Sequence, residues 1–228
     1  MKKIKSIGLV LFILSSIGYT YGQSNNYGLK EKTISTAELS TWNVLGKGAV
    51  GTWGDQTSLQ EADDTKGIML VSLEAYSNDV IVRYKVLALT PATVFVTLLA
   101  VSDEGDSDKL TVPDNYDGSI GLWTKEKENY FFAFKNAPHN VTPFVKKHPN
   151  AAKALVATAE NSMIAGVYYD IEVGKYKGKL WLAIDGEKVF EIDDKKPLAG
   201  GHIAVRLRGT AGFKAGCLIK DMIILSKD

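Results

Sequence analysis

The feature that most constrains the fold of this chain is a series of short strand-like runs in residues 168–225. Apolar and polar residues alternate in YYDIEV, LWLAI, KVFEI and GHIAVRLRG, and turn residues separate these runs. The pair Asp185-Gly186 lies between two of the runs. Such a pair predicts a tight β-hairpin, because both of its residues must tolerate positive φ. The last third of the chain therefore predicts an antiparallel sheet.

Runs of the same kind occur upstream, and we expect them to complete two packed sheets. Ile68–Glu74, Val80–Leu89 and Thr93–Val101 have the length and composition of strands. We also expect a strand pair at Ile120–Thr124 and Tyr130–Lys135. Regular spacing with Gly, Asn and Asp turns is typical of an all-β, antiparallel jelly-roll β-sandwich.

One short helix is expected in addition to the strands. The segment Ala151–Glu160 has high helix propensity, and Asn150 precedes it as an N-cap.

The N-terminal residues 1–22 have the pattern of a signal peptide. Three lysines precede the apolar run 7–17, and small residues follow it. The run is shorter than the roughly 20 residues that span a bilayer. We therefore expect a signal peptide at 1–22, a flexible lead-in at 23–38 and the sandwich domain at 39–228. The protein would be secreted or periplasmic, with no membrane association after cleavage; an uncleaved anchor is the alternative.

Charge and cysteine content narrow the possible partners. The formal charge is +1, and removing the three lysines of residues 1–22 would bring it to −2. A near-neutral chain has no global basic field, so we do not expect nucleic acid as a partner. The single cysteine, Cys217, cannot form an internal disulfide and is expected in the core.

A row of cationic residues follows from strand alternation in residues 201–209. Three aliphatic residues would face the core, while His202, Arg206 and Arg208 would share the opposite face. Arginine holds carboxylate or sulfate groups through paired hydrogen bonds. The row is therefore either a binding surface for an acidic ligand or a solvated face that pairs with neighbouring carboxylates.

The segment from Tyr130 to Asn150 is a second candidate site. Tyr130 and Asn136 share a strand face, Lys135 is adjacent, and His139 follows in an irregular loop. In proton abstraction beside a sugar carboxylate, Tyr130 or His139 would move the proton, while Asn136 and Lys135 would bind the acid group. The alternative is that His139 only forms hydrogen bonds within its loop.

Three further features could contribute to a site. Asp170 and Glu172 alternate onto one strand face, about 6.5–7 Å apart, near the separations used in glycoside hydrolysis. The candidate sugar-stacking platforms are Trp42, Trp53, Trp123 and Trp181, of which we place Trp123 in the site, although tryptophan also fills β-cores. The acidic segment Asp103–Asp108 is either a solvated turn or a site for a structural calcium ion. No other cofactor is required.

Three stretches of residues 40–226 resemble concanavalin A-like lectin/glucanase sandwiches, and among them the YesU-like proteins encoded with polysaccharide-degradation genes. They are LEAYSNDVIVRYKV, YFFAFKNAPHNVTPFVKKHPN and the closing segment from YYDIEV to MIIL. The resemblance implies a jelly-roll fold and a carbohydrate partner. The carboxylate triad of the glucanases and the arginine and glutamine signatures of jelly-roll alginate lyases are absent, so no catalytic set transfers.

The sequence thus predicts an exported enzyme that degrades an acidic polysaccharide. The arginine row and the loop of His139 favour a β-eliminating polysaccharide lyase over a glycoside hydrolase that uses Asp170 and Glu172. A non-catalytic carbohydrate-binding protein is the competing class, and a structural or adhesion domain is a third. The lyase hypothesis requires His139, Arg206 and Arg208 to converge in one concave pocket, with at least one tyrosine beside them.

Overall fold

Two antiparallel sheets pack face to face in the computed structural model, which describes residues 27–136, 143–158, 163–210 and 212–227. The sheets form the predicted all-β jelly-roll sandwich. Among the described residues one sheet has eight strands and the other has seven. None of the described helices is long and apolar enough to cross a membrane.

The eight-stranded sheet has the order β13-β12-β11-β6-β15-β4-β3, and β1 pairs with β15 beside this path. Its strands are β1 (Lys30–Ile34), β3 (Gly48–Trp53), β4 (Gln56–Glu61), β6 (Val80–Ala88), β11 (Tyr168–Tyr176), β12 (Lys179–Ile184), β13 (Glu187–Asp193) and β15 (Gly216–Ser226).

The seven-stranded sheet has the order β10-β9-β8-β7-β14-β5-β2. Its strands are β2 (Asn43–Gly46), β5 (Ile68–Val71), β7 (Val94–Ser102), β8 (Glu128–Asn136), β9 (Phe144–His148), β10 (Val156–Ala157) and β14 (His202–Arg208). Two short helices, α1 (Thr36–Leu39) and α2 (Gly121–Lys125), complete the described elements.

The predicted hairpin joins β12 and β13. Asp185 and Gly186 have φ values of 50° and 78°, as a two-residue hairpin turn with both residues in the left-handed region requires. The Asp185 amide also donates to the Asp170 carbonyl at 2.8 Å, which ties the turn to β11.

The main core lies between the two sheets. Its buried members from β8 and β14 are Tyr130, Phe132, Phe134, Ile203, Val205 and Leu207. The alternation predicted for these two strands is therefore confirmed. Cys217 of β15 is also fully buried in this core, as expected, and burial raises the pKa of its thiol.

A second core covers the outer face of the seven-stranded sheet. Residues 103–127, between β7 and β8, lie across this face, and the cluster includes Leu110, Val112, Tyr116, Leu122 and Trp123 with Met69, Val96 and Phe131. Because this covering segment occupies one outer face, the sheet face that stays open belongs to the eight-stranded sheet.

Two secondary-structure predictions are wrong. In the described part of 151–160 the chain forms β10, which pairs with β9 at the sheet edge, with Leu155 N–H donating to Val145 O at 2.8 Å. Edge pairing overrides the helix propensity of the segment. Residues 120–124 belong to α2 and its N-cap instead of a strand. They form part of the covering segment, where Leu122 and Trp123 are buried.

The structure also differs from the predicted lead-in at 23–38 in the part of that segment that it describes. Lys30–Ile34 pairs in antiparallel register with β15, from Lys30 opposite Ser226 to Ile34 opposite Met222. Helix α1 follows, with the Ser35 side chain as its N-cap. This segment therefore belongs to the sandwich.

Candidate functional site

Tyr130 lies in the main core and has no solvent exposure. Its hydroxyl donates to Asp194 Oδ2 at 2.6 Å and accepts the Leu198 N–H at 2.9 Å. Burial and the Asp194 carboxylate raise the pKa of Tyr130. Because this buried hydroxyl already donates one hydrogen bond and accepts another, it holds the segment after β13 in place. It is not positioned to reach a substrate.

Arg206 and Arg208 lie on the outer face of the seven-stranded sheet, as strand parity predicts, but beneath or beside loops. Arg206 Nη2 donates to Lys66 O at 2.7 Å and to Gly118 O at 2.9 Å, and burial lowers the pKa of Arg206. Arg208 Nη1 donates to Thr65 O at 2.5 Å. Both guanidinium groups donate to backbone carbonyls. The two arginines therefore do not form a free cationic row for an acidic ligand.

The other predicted binding residues within the described chain also have structural partners. His202 Nδ1 lies 2.9 Å from Ser72 O. Trp123 is fully buried and donates from Nε1 to the Tyr116 hydroxyl at 2.6 Å. Lys135 Nζ donates to Pro91 O at 2.7 Å, and burial lowers its pKa.

Tyr130 is not the tyrosine of the predicted pocket of His139, Arg206 and Arg208. Tyr130 points into the main core, whereas Arg206 belongs to the opposite face of the same seven-stranded sheet. His139 and the side chain of Asn136 lie outside the described residues.

The acidic segment 103–108 forms an ion-paired turn. Asp103 Oδ1 accepts from Lys127 Nζ at 2.5 Å, and Oδ2 accepts from the Thr111 hydroxyl at 2.8 Å. Burial opposes ionisation, but these hydrogen bonds outweigh it and lower the pKa of Asp103 to about 2. Within the described residues no group of three or more His, Cys, Asp or Glu side chains is arranged to hold a metal ion.

The open face of the eight-stranded sheet contains a groove of about 430 Å³. We define the groove by six of its polar and aromatic lining residues, which are Arg83, Lys85, Asp170, Glu172, Trp181 and Asp221. They come from β6, β11, β12 and β15, four consecutive strands of the sheet. Of the residues considered from the sequence, Asp170, Glu172 and Trp181 lie here.

Strand register arranges the polar side chains of the groove in two rows. In the first row Asp170 of β11 is opposite Lys85 of β6, and Lys85 is opposite Lys220 of β15. In the second row Glu172 is opposite Arg83. Side chains two residues apart share a face, so the rows lie side by side across the strands.

The second row forms the most tightly paired cluster of the groove. Arg83 Nε donates to Glu172 Oε2 at 2.6 Å, and Trp181 Nε1 donates to Glu172 Oε1 at 2.6 Å. Both carboxylate oxygens therefore have a partner. Arg83 Nη2 is buried and has no hydrogen-bond acceptor among the described residues.

The first row is more exposed and shares one ammonium group between two carboxylates. Lys85 Nζ lies 3.2 Å from Asp170 Oδ1 and 3.3 Å from Asp221 Oδ2. Burial would lower the pKa of Lys85, but the two carboxylates outweigh burial and raise it. Asp221 reaches this position at an irregularity of β15, where its φ is 53°.

An aromatic group closes one end of the groove. A Cβ on Gly174 would lie 2.1 Å from Trp181 Cζ2, so the indole passes directly over this glycine of β11. Tyr27 stacks on Trp181 with 5.8 Å between ring centroids, and Tyr176 contacts Tyr27 edge-on at 5.1 Å. This aromatic end adjoins the two polar rows.

The charges along the groove nearly cancel. Its complete lining includes three cationic side chains, from Arg83, Lys85 and Lys188, and four carboxylates, from Glu31, Asp170, Glu172 and Asp221. Donors and acceptors therefore alternate in a groove that carries little net charge. The alternation of Arg83 and Lys85 within the apolar run VIVRYKV was the sequence signal for this face, and sequence reasoning missed it.

Comparison with known proteins identifies the fold. No protein-family model matches the chain, and no curated protein matches it. A Bacillus subtilis protein of unknown function with a galectin-like fold is 14% identical, with a TM-score of 0.74 over 87% of this chain and 95% of that one.

Two further solved structures have named activities. The carbohydrate-binding module CBM66 from Bacillus subtilis is 12% identical, with a TM-score of 0.56 over 82% of this chain and 97% of the module. A prokaryotic β-1,3-1,4-glucanase (lichenase) derived from a mouse hindgut metagenome is 8% identical, with a TM-score of 0.58 over 87% of this chain and all 100% of that chain. At these identities the similarity concerns the fold, and the narrower YesU-like resemblance stays a prediction. The chain has the jelly-roll sandwich shared by galectin-like proteins and these glucanases.

Proposed function

We propose that this protein binds a carbohydrate in the groove of the eight-stranded sheet, and that the ligand is a neutral glycan. The observation that carries the proposal is the pairing of carboxylate acceptors with ammonium and guanidinium donors beside an aromatic end. A sugar hydroxyl both donates and accepts, so it fits a surface on which donors and acceptors alternate. Trp181 is buried between Gly174 and Tyr27, so at this end the partly buried Tyr27 ring would contact the apolar face of a sugar ring.

The structural neighbours support a carbohydrate as the class of ligand. A carbohydrate-binding module, a glucanase and the carbohydrate recognition domain of Emp47p share the sandwich. The signal-like residues 1–22 fit a protein that meets glycans outside the cytoplasm, and export is part of the proposal.

An acidic glycan and β-elimination are less well supported. The arginines that suggested an acidic ligand bind backbone carbonyls. Four carboxylates against three cations in the groove would not attract a polyanion. Tyr130, the predicted proton-transfer group, is buried in the main core.

Glycoside hydrolysis is the second candidate function. Asp170 and Glu172 lie side by side in the groove, as a pair of catalytic carboxylates would. However, Glu172 already binds Arg83 and Trp181 through its two oxygens. Proton donation to a leaving group would require this cluster to break, so we place binding first.

Affinity electrophoresis of the full chain with neutral and uronate-containing polysaccharides tests the proposal. We expect at least one neutral polysaccharide to retard migration, and Asp170→Asn to weaken that retardation about tenfold, the scale of a lost charge-assisted hydrogen bond. Asp114→Asn, an exposed carboxylate outside the groove, serves as the matched control.

The same samples separate binding from hydrolysis. Release of reducing ends that disappears in Glu172→Gln would favour the hydrolase. Retardation by uronate-containing polysaccharides alone, or full retardation of Asp170→Asn, would contradict the neutral-glycan groove.

A further inference from the structure

A second cavity, of about 480 Å³, lies on the other side of the sandwich. We call it the α2 cavity, because it opens where α2 meets β8 and β9 on the outer face of the seven-stranded sheet. Its lining includes Phe131, Phe144, Lys125, Lys146, His148 and Asn150. None of these residues lines the groove.

The hydrogen bonding of His148 defines which ring nitrogen is free. Nδ1 lies 3.1 Å from Thr124 O, and a carbonyl oxygen only accepts, so Nδ1 carries the hydrogen. Burial lowers the pKa of His148, the Thr124 carbonyl opposes this, and Lys146 lowers it further. These effects favour the neutral ring, in which Nε2 has a bare lone pair.

This lone pair has no partner within the described chain. Nε2 is buried and accepts no hydrogen bond from the described residues. Buried polar atoms are nearly always hydrogen-bonded, so Nε2 requires a donor that the described chain does not supply, either a water molecule or a ligand group.

The remaining walls of the α2 cavity define the rest of the ligand. The rings of Phe131 and Phe144 stack with 6.2 Å between centroids and 13° between planes, and both line the cavity. Lys146 Nζ lies 5.6 Å from the centre of the Phe144 ring. Lys125 is the second cation, and no carboxylate side chain is among the lining residues.

We propose that the α2 cavity binds a small ring compound that carries both a hydroxyl group and a negative charge. A small side-chain movement at the cavity wall uncovers His148 Nε2, to which the hydroxyl donates. The ring packs against the two phenyl groups, and the anionic group lies near Lys125 and Lys146. A uronate monosaccharide has this chemistry. The site does not depend on glycan binding in the groove.

Isothermal titration calorimetry of the full chain with D-glucuronate tests this site, with D-glucose as the uncharged comparison. We expect glucuronate to bind at least tenfold more tightly than glucose. In His148→Asn the shorter amide can still donate to Thr124 O but has no acceptor in place of Nε2, so glucuronate affinity should fall at least tenfold. Lys146→Met should weaken binding as well, while Lys195→Met, an exposed lysine outside the α2 cavity, should not.

Nitrogen-15 NMR of the His148 ring gives a readout that does not depend on a variant folding. Glucuronate should shift the Nε2 signal and leave Nδ1 protonated. An unchanged Nε2 signal, equal affinity for glucose, or full affinity of a folded His148→Asn protein would each overturn the proposal. Asp170→Asn should leave glucuronate binding intact, which distinguishes this site from the groove.

Discussion

At the scale of single residues, the cationic side chains divide into those that hold loops and those that line the groove. Arg206 is buried and joins β14 to Lys66 O and Gly118 O. Lys85 and Arg83, in contrast, pair with carboxylates that face the groove. Substitutions in the first group should lower the stability of the fold, whereas substitutions in the second group should weaken glycan binding.

Arg206→Met should lower the free energy of unfolding by roughly 2–3 kcal/mol, because hydrogen bonds from a charged donor are lost and two carbonyls lose their partner. Glycan binding should not change. Lys66→Met is the control from the same region, since it removes an exposed ion pair with Asp117 and should cost about 0–1 kcal/mol. Urea denaturation measures both. Lost binding with unchanged stability in Arg206→Met would restore the original arginine-row hypothesis.

A buried lysine should make stability depend on pH in the alkaline range. Lys175 is 1% exposed, and its Nζ donates to Asn78 Oδ1 at 2.5 Å and to Ala199 O at 3.1 Å. Burial lowers its pKa to about 8, against the opposing effect of Asp79. The unfolded chain, with an ordinary lysine pKa of 10.5, therefore binds more protons between these two values.

The contribution of Lys175 to stability should rise as the pH increases from 8 towards 10. Each unit of pKa difference corresponds to about 1.4 kcal/mol. The free energy of unfolding of the wild type minus that of Lys175→Met should therefore increase over this range and be flat below pH 8. Subtraction removes the effects of tyrosines such as Tyr84, which titrate at higher pH. A difference that stays constant between pH 8 and 10 would contradict the lowered pKa.

Strand parity assigned side chains to faces correctly, but it could not show which face is covered. Arg206 is on the predicted face, yet residues 103–127 lie over it. The covering segment has no regular alternation of apolar and polar residues, so no local sequence pattern predicts its position. Tyr130 was linked to His139 because they are close in sequence, although its parity with Phe132 and Phe134 marks all three as core.

At the scale of elements, features set by neighbouring residues could be predicted from the sequence, whereas features set by contacts between distant segments could not. The β12–β13 hairpin follows from two turn residues. The strand β10 depends on pairing with β9, which is specified by neither segment alone. The role of Gly174 also depends on another segment, because it is set by Trp181 on the adjacent strand.

Gly174→Ala should displace Trp181 and weaken glycan binding. The new Cβ would lie 2.1–2.4 Å from three atoms of the indole, so the ring must move and lose its hydrogen bond to Glu172. Tryptophan fluorescence should change, and thermal stability should fall. Gly51→Ala on β3 is the control, since its nearest atom is the flexible Ser58 Oγ at 3.0 Å. Unchanged fluorescence and binding in Gly174→Ala would remove Trp181 from the site.

At the scale of the whole molecule, the two outer faces of the sandwich have different roles. The covering segment fills one face, and the open face continues beyond the groove. From Asp170 and Lys85 the first polar row runs through Lys220 towards Gln56 of β4, whose side chain accepts from the Tyr168 hydroxyl. Gln56 is opposite Trp53 of β3.

We therefore expect Trp53 to be a distal contact for a long glycan. It is 69% exposed, and four strand spacings of about 4.8 Å place β3 roughly 19 Å from β11. Trp53→Ala should weaken binding of long oligosaccharides about tenfold, near the lower end of the roughly 1.5–3 kcal/mol for fully burying a large apolar side chain, and leave short ones unaffected. Phe213→Ala removes an equally exposed ring (68%) that lies after β14 and outside the groove lining. If calorimetry shows equal losses for both variants, or a loss for the shortest ligands, the glycan does not cross the open face along this row.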